Sequence, residues 1–125
     1  MLVYRELEIY NIAKELSIQI HEMSLTLPKF ELYETGSQLR RSSKAVTTMI
    51  VEGYARRRYK ADFVKHLVYS IAECDETIVH LEVLYETKSL TDSKLFNDLR
   101  NRYTILSKRI NTYTRWVDEH YEWRG

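Results

Sequence analysis

The stretch from Lys60 to Lys88, KADFVKHLVYSIAECDETIVHLEVLYETK, repeats its apolar residues at steps of three and four positions. A spacing that averages near 3.5 residues keeps one face of a helix turned toward a partner over many turns. The sequence therefore predicts a long helix from about Lys60 to Lys88. Its predicted core positions are Phe63, Leu67, Ile71, Cys74, Ile78, Leu81 and Tyr85.

Three more segments show the same rhythm, and no stretch of similar length alternates with the period of two that is typical of strands. The predicted core residues are Ile9, Ala13, Leu16, Ile20, Met23 and Leu27 in the first segment, Leu39, Ser43, Val46, Ile50 and Gly53 in the second, and Leu95, Leu99, Tyr103, Leu106, Ile110, Tyr113 and Val117 in the last.

The breaks between these segments agree with four helices. Pro28 cannot continue a helix, so the first helix should end near residues 25–27. The second helix should stop around the run Arg56–Tyr59, and Thr91 or Asp92 is suited to cap the fourth. Because short links force neighbouring helices to run antiparallel, the chain is predicted to be an all-α, up-down-up-down four-helix bundle, with residues 1–125 as one domain.

The amino-acid composition supports an all-α fold and indicates the cellular compartment. The 125 residues contain only 3 Gly and 1 Pro, too few for the frequent turns of an all-β fold. The single Cys fits a reducing compartment. No apolar run is long enough to span a bilayer, and the first residues lack the pattern of a signal peptide, so we expect a cytoplasmic protein with no membrane partner.

The charge distribution carries the main functional prediction. The net charge is +1, but the stretch from Arg40 to Lys65 holds eight cationic and two acidic residues, a local charge of +6. Guanidinium groups suit phosphates because their planar fork donates two hydrogen bonds. An alternative reading is a solvated face whose cations pair with acids of the first and fourth helices. The candidate nucleic-acid contacts are Arg40, Arg41, Lys44, Arg56, Arg57, Arg58, Lys60 and Lys65, with Tyr54, Tyr59 and Tyr69 as residues that could stack on bases.

Catalytic and metal chemistry find little support in the sequence. Di-iron bundles need paired Glu-x-x-His motifs, which none of the four histidines completes. Cys74 lies on an apolar stripe, and no glycine-rich phosphate loop is present. Gly53 is interpreted as a helix-packing residue and Glu52 as the partner of an arginine. We therefore predict no enzyme activity, no metal and no cofactor.

Aromatic residues crowd the C-terminal end of the chain. Trp116 and Trp123 lie off the predicted core stripe, close to Tyr121. Aromatic side chains outside the core are favoured at protein interfaces. All three are therefore predicted to contribute to a contact between subunits, the alternative being an aromatic box that binds a ligand.

Several of these segments together resemble a bacterial family, the four-helix-bundle proteins encoded in 23S ribosomal RNA intervening sequences. The resemblance is carried by LPKFE at 27–31, QLRRS at 38–42, IVEGY at 50–54, Arg57 and the segment Phe63–Leu67. It implies a homopentameric ring. A similar accessory protein of diversity-generating retroelements implies association with nucleic acid and with a nucleic-acid-processing protein. The prediction is thus a homo-oligomer that binds RNA or DNA, the alternative being a structural scaffold that docks a protein partner.

Overall fold

The computed structural model describes residues 3–125, which form four long helices: α1 (Glu8–Ser24), α2 (Thr35–Ala55), α3 (Lys60–Glu86) and α4 (Ser93–His120). Short 3-10 turns at Tyr4–Glu6 and Lys29–Leu32 precede α1 and α2. Each helix packs antiparallel against the next in the chain, and α4 meets α1 through a sparser contact. Residues 3–125 contain no strand. The predicted all-α antiparallel bundle is confirmed.

The helix ends follow the signals in the sequence. Helix α1 ends at Ser24, four residues before Pro28, and α3 begins at Lys60. The carboxylate of Asp92 accepts a hydrogen bond from the backbone N–H of Leu95 at 3.0 Å, which caps α4. The antiparallel arrangement therefore places the α2–α3 connection at the same end of the bundle as the C-terminus of α4.

The core of α3 differs from its predicted register. Phe63, Leu67, Cys74 and Leu81 are fully buried as predicted. The predicted core residues Ile71, Ile78 and Tyr85 are only partly buried and flank the core instead. A similar shift occurs in α4, where Leu95 and Tyr113 are partly buried. The positions inside are Ser70, Thr77 and Leu84 in α3 and Phe96 and Thr114 in α4.

Close packing of α2 against α3 explains why small hydroxyl residues occupy these positions. The hydroxyl of Ser70 donates to the backbone oxygen of Val46 at 2.7 Å. The hydroxyls of Ser42 and Thr77 lie 2.8 Å apart across the same seam. Since both pairs satisfy buried polar groups between the helices, the seam tolerates serine and threonine where isoleucine would be too large.

Gly53 lies at a point of close approach between α2 and α3. A Cβ atom at Gly53 would lie 3.1 Å from the Cβ of His66 and 3.2 Å from the backbone oxygen of Phe63. Glu52, by contrast, does not pair with an arginine as predicted. Its carboxylate lies 3.8 Å from Nε2 of His66, because the neighbouring turn of α3 presents that histidine to it.

Candidate nucleic-acid interface

A group of cations surrounds the connection between α2 and α3, and we call it the basic corner. Helix α2 ends after Ala55, where the N–H of Arg56 bonds back to the carbonyls of Glu52 and Gly53. The N–H of Tyr59 then bonds to the carbonyl of Arg56 at 2.8 Å and closes a tight turn. This turn and the first two turns of α3 bring together Arg56, Arg57, Arg58, Lys60 and Lys65.

The other predicted contacts lie elsewhere. Arg40, Arg41 and Lys44 belong to the first half of α2, toward the opposite end of the bundle. Lys44 and Arg56 are twelve positions apart, roughly 18 Å at 1.5 Å per residue of helix. The predicted contacts on α2 and at the corner after it therefore form two separate groups, and their joint role in binding nucleic acid stays a prediction.

One of the distant cations, Arg40, is hydrogen-bonded within the chain. The guanidinium of Arg40 donates to the hydroxyl of Ser24 at 3.2 Å and to the backbone oxygen of Leu32 at 2.9 Å. Arg40 therefore ties α2 to the end of α1 and to the turn that follows it, so its prediction as a phosphate contact is corrected. Arg41 lines the groove between α2 and α3 together with Glu73.

The carboxylate of Glu73 makes that groove less attractive to an anion. Burial, and then the neighbouring Glu76, raise its pKa, while the charge of Arg41 opposes the rise. Arg41 thus faces two carboxylates across the groove, although it forms no ion pair with them within residues 3–125. Lys44 is exposed nearby.

The cations of the basic corner are not neutralised in this way. Within residues 3–125, none of its five side chains forms an ion pair with a carboxylate. Asp118 lines a shallow pocket with Lys60 and Lys65 without pairing with either. Four acids pair instead with arginines of α4: Arg100 with Glu82, Arg102 with Glu15 and Asp98, and Arg109 with Glu8.

Arg57 is the most constrained member of the basic corner. One of its N–H groups donates to the backbone oxygen of Tyr54 at 3.0 Å, and its guanidinium lies 4.3 Å from the Tyr54 ring centre and 5.5 Å from that of Trp123. Tyr54 itself is buried. The prediction that Tyr54 stacks on bases is therefore wrong, whereas Tyr59 is 62% exposed and lies 5.8 Å from the guanidinium carbon of Arg58.

An aromatic cleft adjoins the basic corner. After α4 ends, the tail is anchored by Tyr121, whose ring meets Phe63 edge-on at 5.3 Å between ring centres. Tyr121 thus packs largely against its own bundle, while Trp116 and Trp123 remain about half exposed. The cleft has a volume of about 460 Å³, and its lining comprises Tyr54, Arg57, Tyr113, Trp116, Tyr121, Glu122, Trp123, Arg124 and Gly125.

The meeting of the C-terminal tail with Arg57 was not predicted from the sequence. Arg57 and Trp123 are far apart along the chain, and the tail beyond α4 has no periodic pattern from which its path could be predicted. The antiparallel order of the helices was the available signal, since it places the end of α4 beside the α2–α3 connection. The helix order predicts which ends of the helices are close together, but it does not predict which side chains touch.

Two of the groups with raised pKa values are Cys74, which lies in the core, and Tyr113, which lines the aromatic cleft. Burial raises the pKa of the Cys74 thiol to about 12 and that of the Tyr113 hydroxyl to about 12. Among residues 3–125, no three His, Cys, Asp or Glu side chains converge in a way that could hold a metal ion. In the same range, no helix has both the length and the apolar character needed to cross a bilayer.

Comparison with known proteins gives a family and a fold. The sequence matches the family model of the 23S rRNA-intervening sequence protein over residues 5–112. Among solved structures, the chain is similar to a protein of unknown function from the S23 ribosomal protein family of Bacteroides thetaiotaomicron VPI-5482. The TM-score is 0.73 at 22% identity, covering 86% of this chain and 98% of that one. No curated protein matches the chain.

Proposed function

This chain belongs to the family of 23S rRNA-intervening sequence proteins, and we propose that it is a non-catalytic, homo-oligomeric protein that binds RNA through its basic corner. One observation carries the proposal: Arg56, Arg58, Lys60 and Lys65 lie close together with no carboxylate partner among residues 3–125. Glu8 and Glu15 of α1 pair with arginines of α4 instead, and Asp118 borders Lys60 and Lys65 without pairing with either.

The kind of cation also favours a polyanion as the partner. Arginine binds phosphate oxygens through two parallel hydrogen bonds, and lysine adds a point charge. Phosphate contacts supply most of the affinity for nucleic acid and act on any sequence. A protein with a net charge of +1 binds RNA only if its positive charge is concentrated. The basic corner provides that concentration.

Self-association would bring several copies of the basic corner together in one assembly. The outward side of α3 carries Val68, Val79 and Val83, which are exposed even though they are apolar. Together with the homopentamer that the family resemblance implies, this face supports assembly into a ring that repeats the basic corner in each subunit. Light scattering should then give about five times the 15.0 kDa of one chain, and a monomeric mass at micromolar concentration would remove this part of the proposal.

RNA binding is tested by the salt dependence of the affinity. Fluorescence anisotropy with a labelled single-stranded RNA should show binding that weakens steeply with salt. The double variant Arg56→Gln, Arg58→Gln should lower the slope of log K against log salt by roughly 1.4 if each arginine neutralises one phosphate. The control Lys29→Gln, Lys94→Gln removes the same charge at the opposite end of the bundle and should leave the slope unchanged.

A second function is favoured by the surface between α1 and α4. An apolar groove of about 520 Å³ lies there, with Ile9, Ile105 and Trp116 in its walls. Such a groove suits a helix of a protein partner, including a nucleic-acid-processing protein. If this groove rather than the basic corner is the functional surface, RNA affinity will be weak in both double variants, and a partner will bind with little dependence on salt.

A further inference from the structure

We propose that the aromatic cleft at the end of the bundle holds one unpaired nucleobase of the RNA whose phosphates contact the basic corner. This inference rests on the proposed function and adds to it a defined subsite. Arg57 is shared by the corner and the cleft, so a base in the cleft and its own phosphate would be held by adjacent groups.

The walls of the cleft present aromatic rings on which a base can stack. The rings of Tyr113 and Trp116 stack on each other, at 21° and 6.1 Å between centres, and Trp116 is half exposed. Trp123 lines the same cleft and lies over the guanidinium of Arg57. Single-stranded RNA is recognised by bases that unstack from one another and stack on aromatic rings or on the guanidinium plane of arginine.

Size and access fit a single nucleotide. The volume of about 460 Å³ lies within the range of small-ligand sites and is sufficient for a base with its sugar. Trp116 is 50% exposed and Trp123 is 44% exposed, so both rings have surface left to cover. Phe96, by contrast, is buried and stacks on Tyr85 at 4.2 Å between ring centres, so its ring has little surface left to cover.

Charge favours a nucleotide over an acidic or neutral peptide. The cleft contains Arg57, Arg124 and Glu122. Glu122 lies 3.5 Å from the guanidinium of Arg124, and both side chains are exposed. Arg57 is left without a carboxylate among residues 3–125, and its hydrogen bond to Tyr54 uses one of its five N–H donors. The remaining donors are held in place for a phosphate or for the edge of a base.

The first experiment uses the intrinsic fluorescence of the protein. The chain has 2 Trp, and both line the cleft. Trp116 also borders the groove between α1 and α4, so the titration is repeated in Trp116→Phe, where Trp123 alone supplies the tryptophan emission. Adenosine 5′-monophosphate should quench it in a saturable way, while ribose 5-phosphate at the same ionic strength should not. An equal response to the two compounds, or no response to either, would overturn the proposal.

The second experiment separates the cleft from the corner. A short single-stranded RNA should bind about 5- to 100-fold more tightly than an abasic oligomer of the same length. Trp123→Ala should remove most of that difference, and Trp123→Phe should retain part of it. Trp123 lies beyond the end of α4, so helical circular dichroism should stay unchanged. Tyr33→Ala, which removes a ring that is 86% exposed at the other end of the bundle, is the control and should not alter binding.

The outcomes distinguish the two proposals. If RNA and abasic oligomer bind equally and both bind less tightly in high salt, the cleft proposal is wrong and the basic corner stands. If neither binds, both proposals fail. If Trp123→Ala instead lowers the mass of the assembly in light scattering, the cleft is filled by a second copy of the chain, as the sequence analysis predicted for Trp123, and the base-binding proposal is overturned.

Discussion

Gly53 allows α2 and α3 to approach each other, and its replacement by leucine gives a quantitative test of the fold. An added Cβ would lie 3.1 Å from the Cβ of His66 and 3.2 Å from the backbone oxygen of Phe63, against about 3.5–4.0 Å for an unstrained carbon contact. Both neighbours belong to a helix that is packed on its other side. They cannot turn aside as the end of a flexible side chain would, so the helices must separate.

Two effects of opposite sign determine the size of the change. Replacing glycine inside a helix gains up to about 1 kcal/mol from backbone entropy. Overpacking a tight seam costs about 1–3 kcal/mol, and leucine adds three further carbons beyond the Cβ, which places it at or above the upper end. We expect a net loss of about 2 kcal/mol in the free energy of unfolding. For a chain of this length, that corresponds to a melting temperature lowered by about 8 °C.

The assay is thermal unfolding followed by circular dichroism at the helical bands, with urea unfolding as a second measure of stability. Ala55→Leu is the matched control, because it introduces the same side chain two residues later at an exposed position of the same helix. It should leave the melting temperature within about 2 °C of the parent. If Gly53→Leu and the control have the same melting temperature, the two helices are not in close contact at this point.

Three further predictions concern single residues. Folding favours the protonated thiol of Cys74, because burial raises its pKa from 9.0 to about 12. The contribution of this thiol to the free energy of unfolding should be intact below pH 9 and should fall by at most about 1.4 kcal/mol per pH unit above it. Urea midpoints measured from pH 8 to 11 should therefore fall less steeply in Cys74→Ala than in the parent. Asp92→Ala removes the cap of α4 and should cost about 1 kcal/mol in urea unfolding, and an unchanged midpoint would contradict that role. Arg40→Ala should lower the melting temperature and leave the salt dependence of RNA binding unchanged. An unchanged melting temperature with a lower salt slope would show that Arg40 contacts phosphate.

The sequence was sufficient to predict the class of fold, and its limits show in the core of α3. The steps of three and four identified the helices because any apolar stripe that long must be covered. They did not identify which of two adjacent stripes faces inward. Hydropathy favoured Ile71 and Ile78, but α2 and α3 lie close together, with Gly53 against Phe63 and His66. At that separation, Ser70 and Thr77 fit and bond across the seam.

The sequence was sufficient to predict that the candidate site is cationic, but not which of its residues lie together. A run of three arginines after α2 pointed to a basic surface, and the structure retains it as the basic corner. The length of α2, however, separates Arg40 from that corner, and the burial of Tyr54 beneath Arg57 removes a predicted stacking residue. The aromatic cleft depends on the packing of Tyr121 onto Phe63, a contact between distant residues that local patterns do not encode.

Chemical footprinting of lysines tests most directly whether the basic corner is where RNA binds. The protein is acetylated with and without a single-stranded RNA, and each lysine is quantified by mass spectrometry. With RNA bound, the modification of Lys60 and Lys65 should fall, while that of Lys29 and Lys94, at the opposite end of the bundle, should stay the same. Protection of Lys29 and Lys94 with Lys60 and Lys65 left reactive would contradict the account.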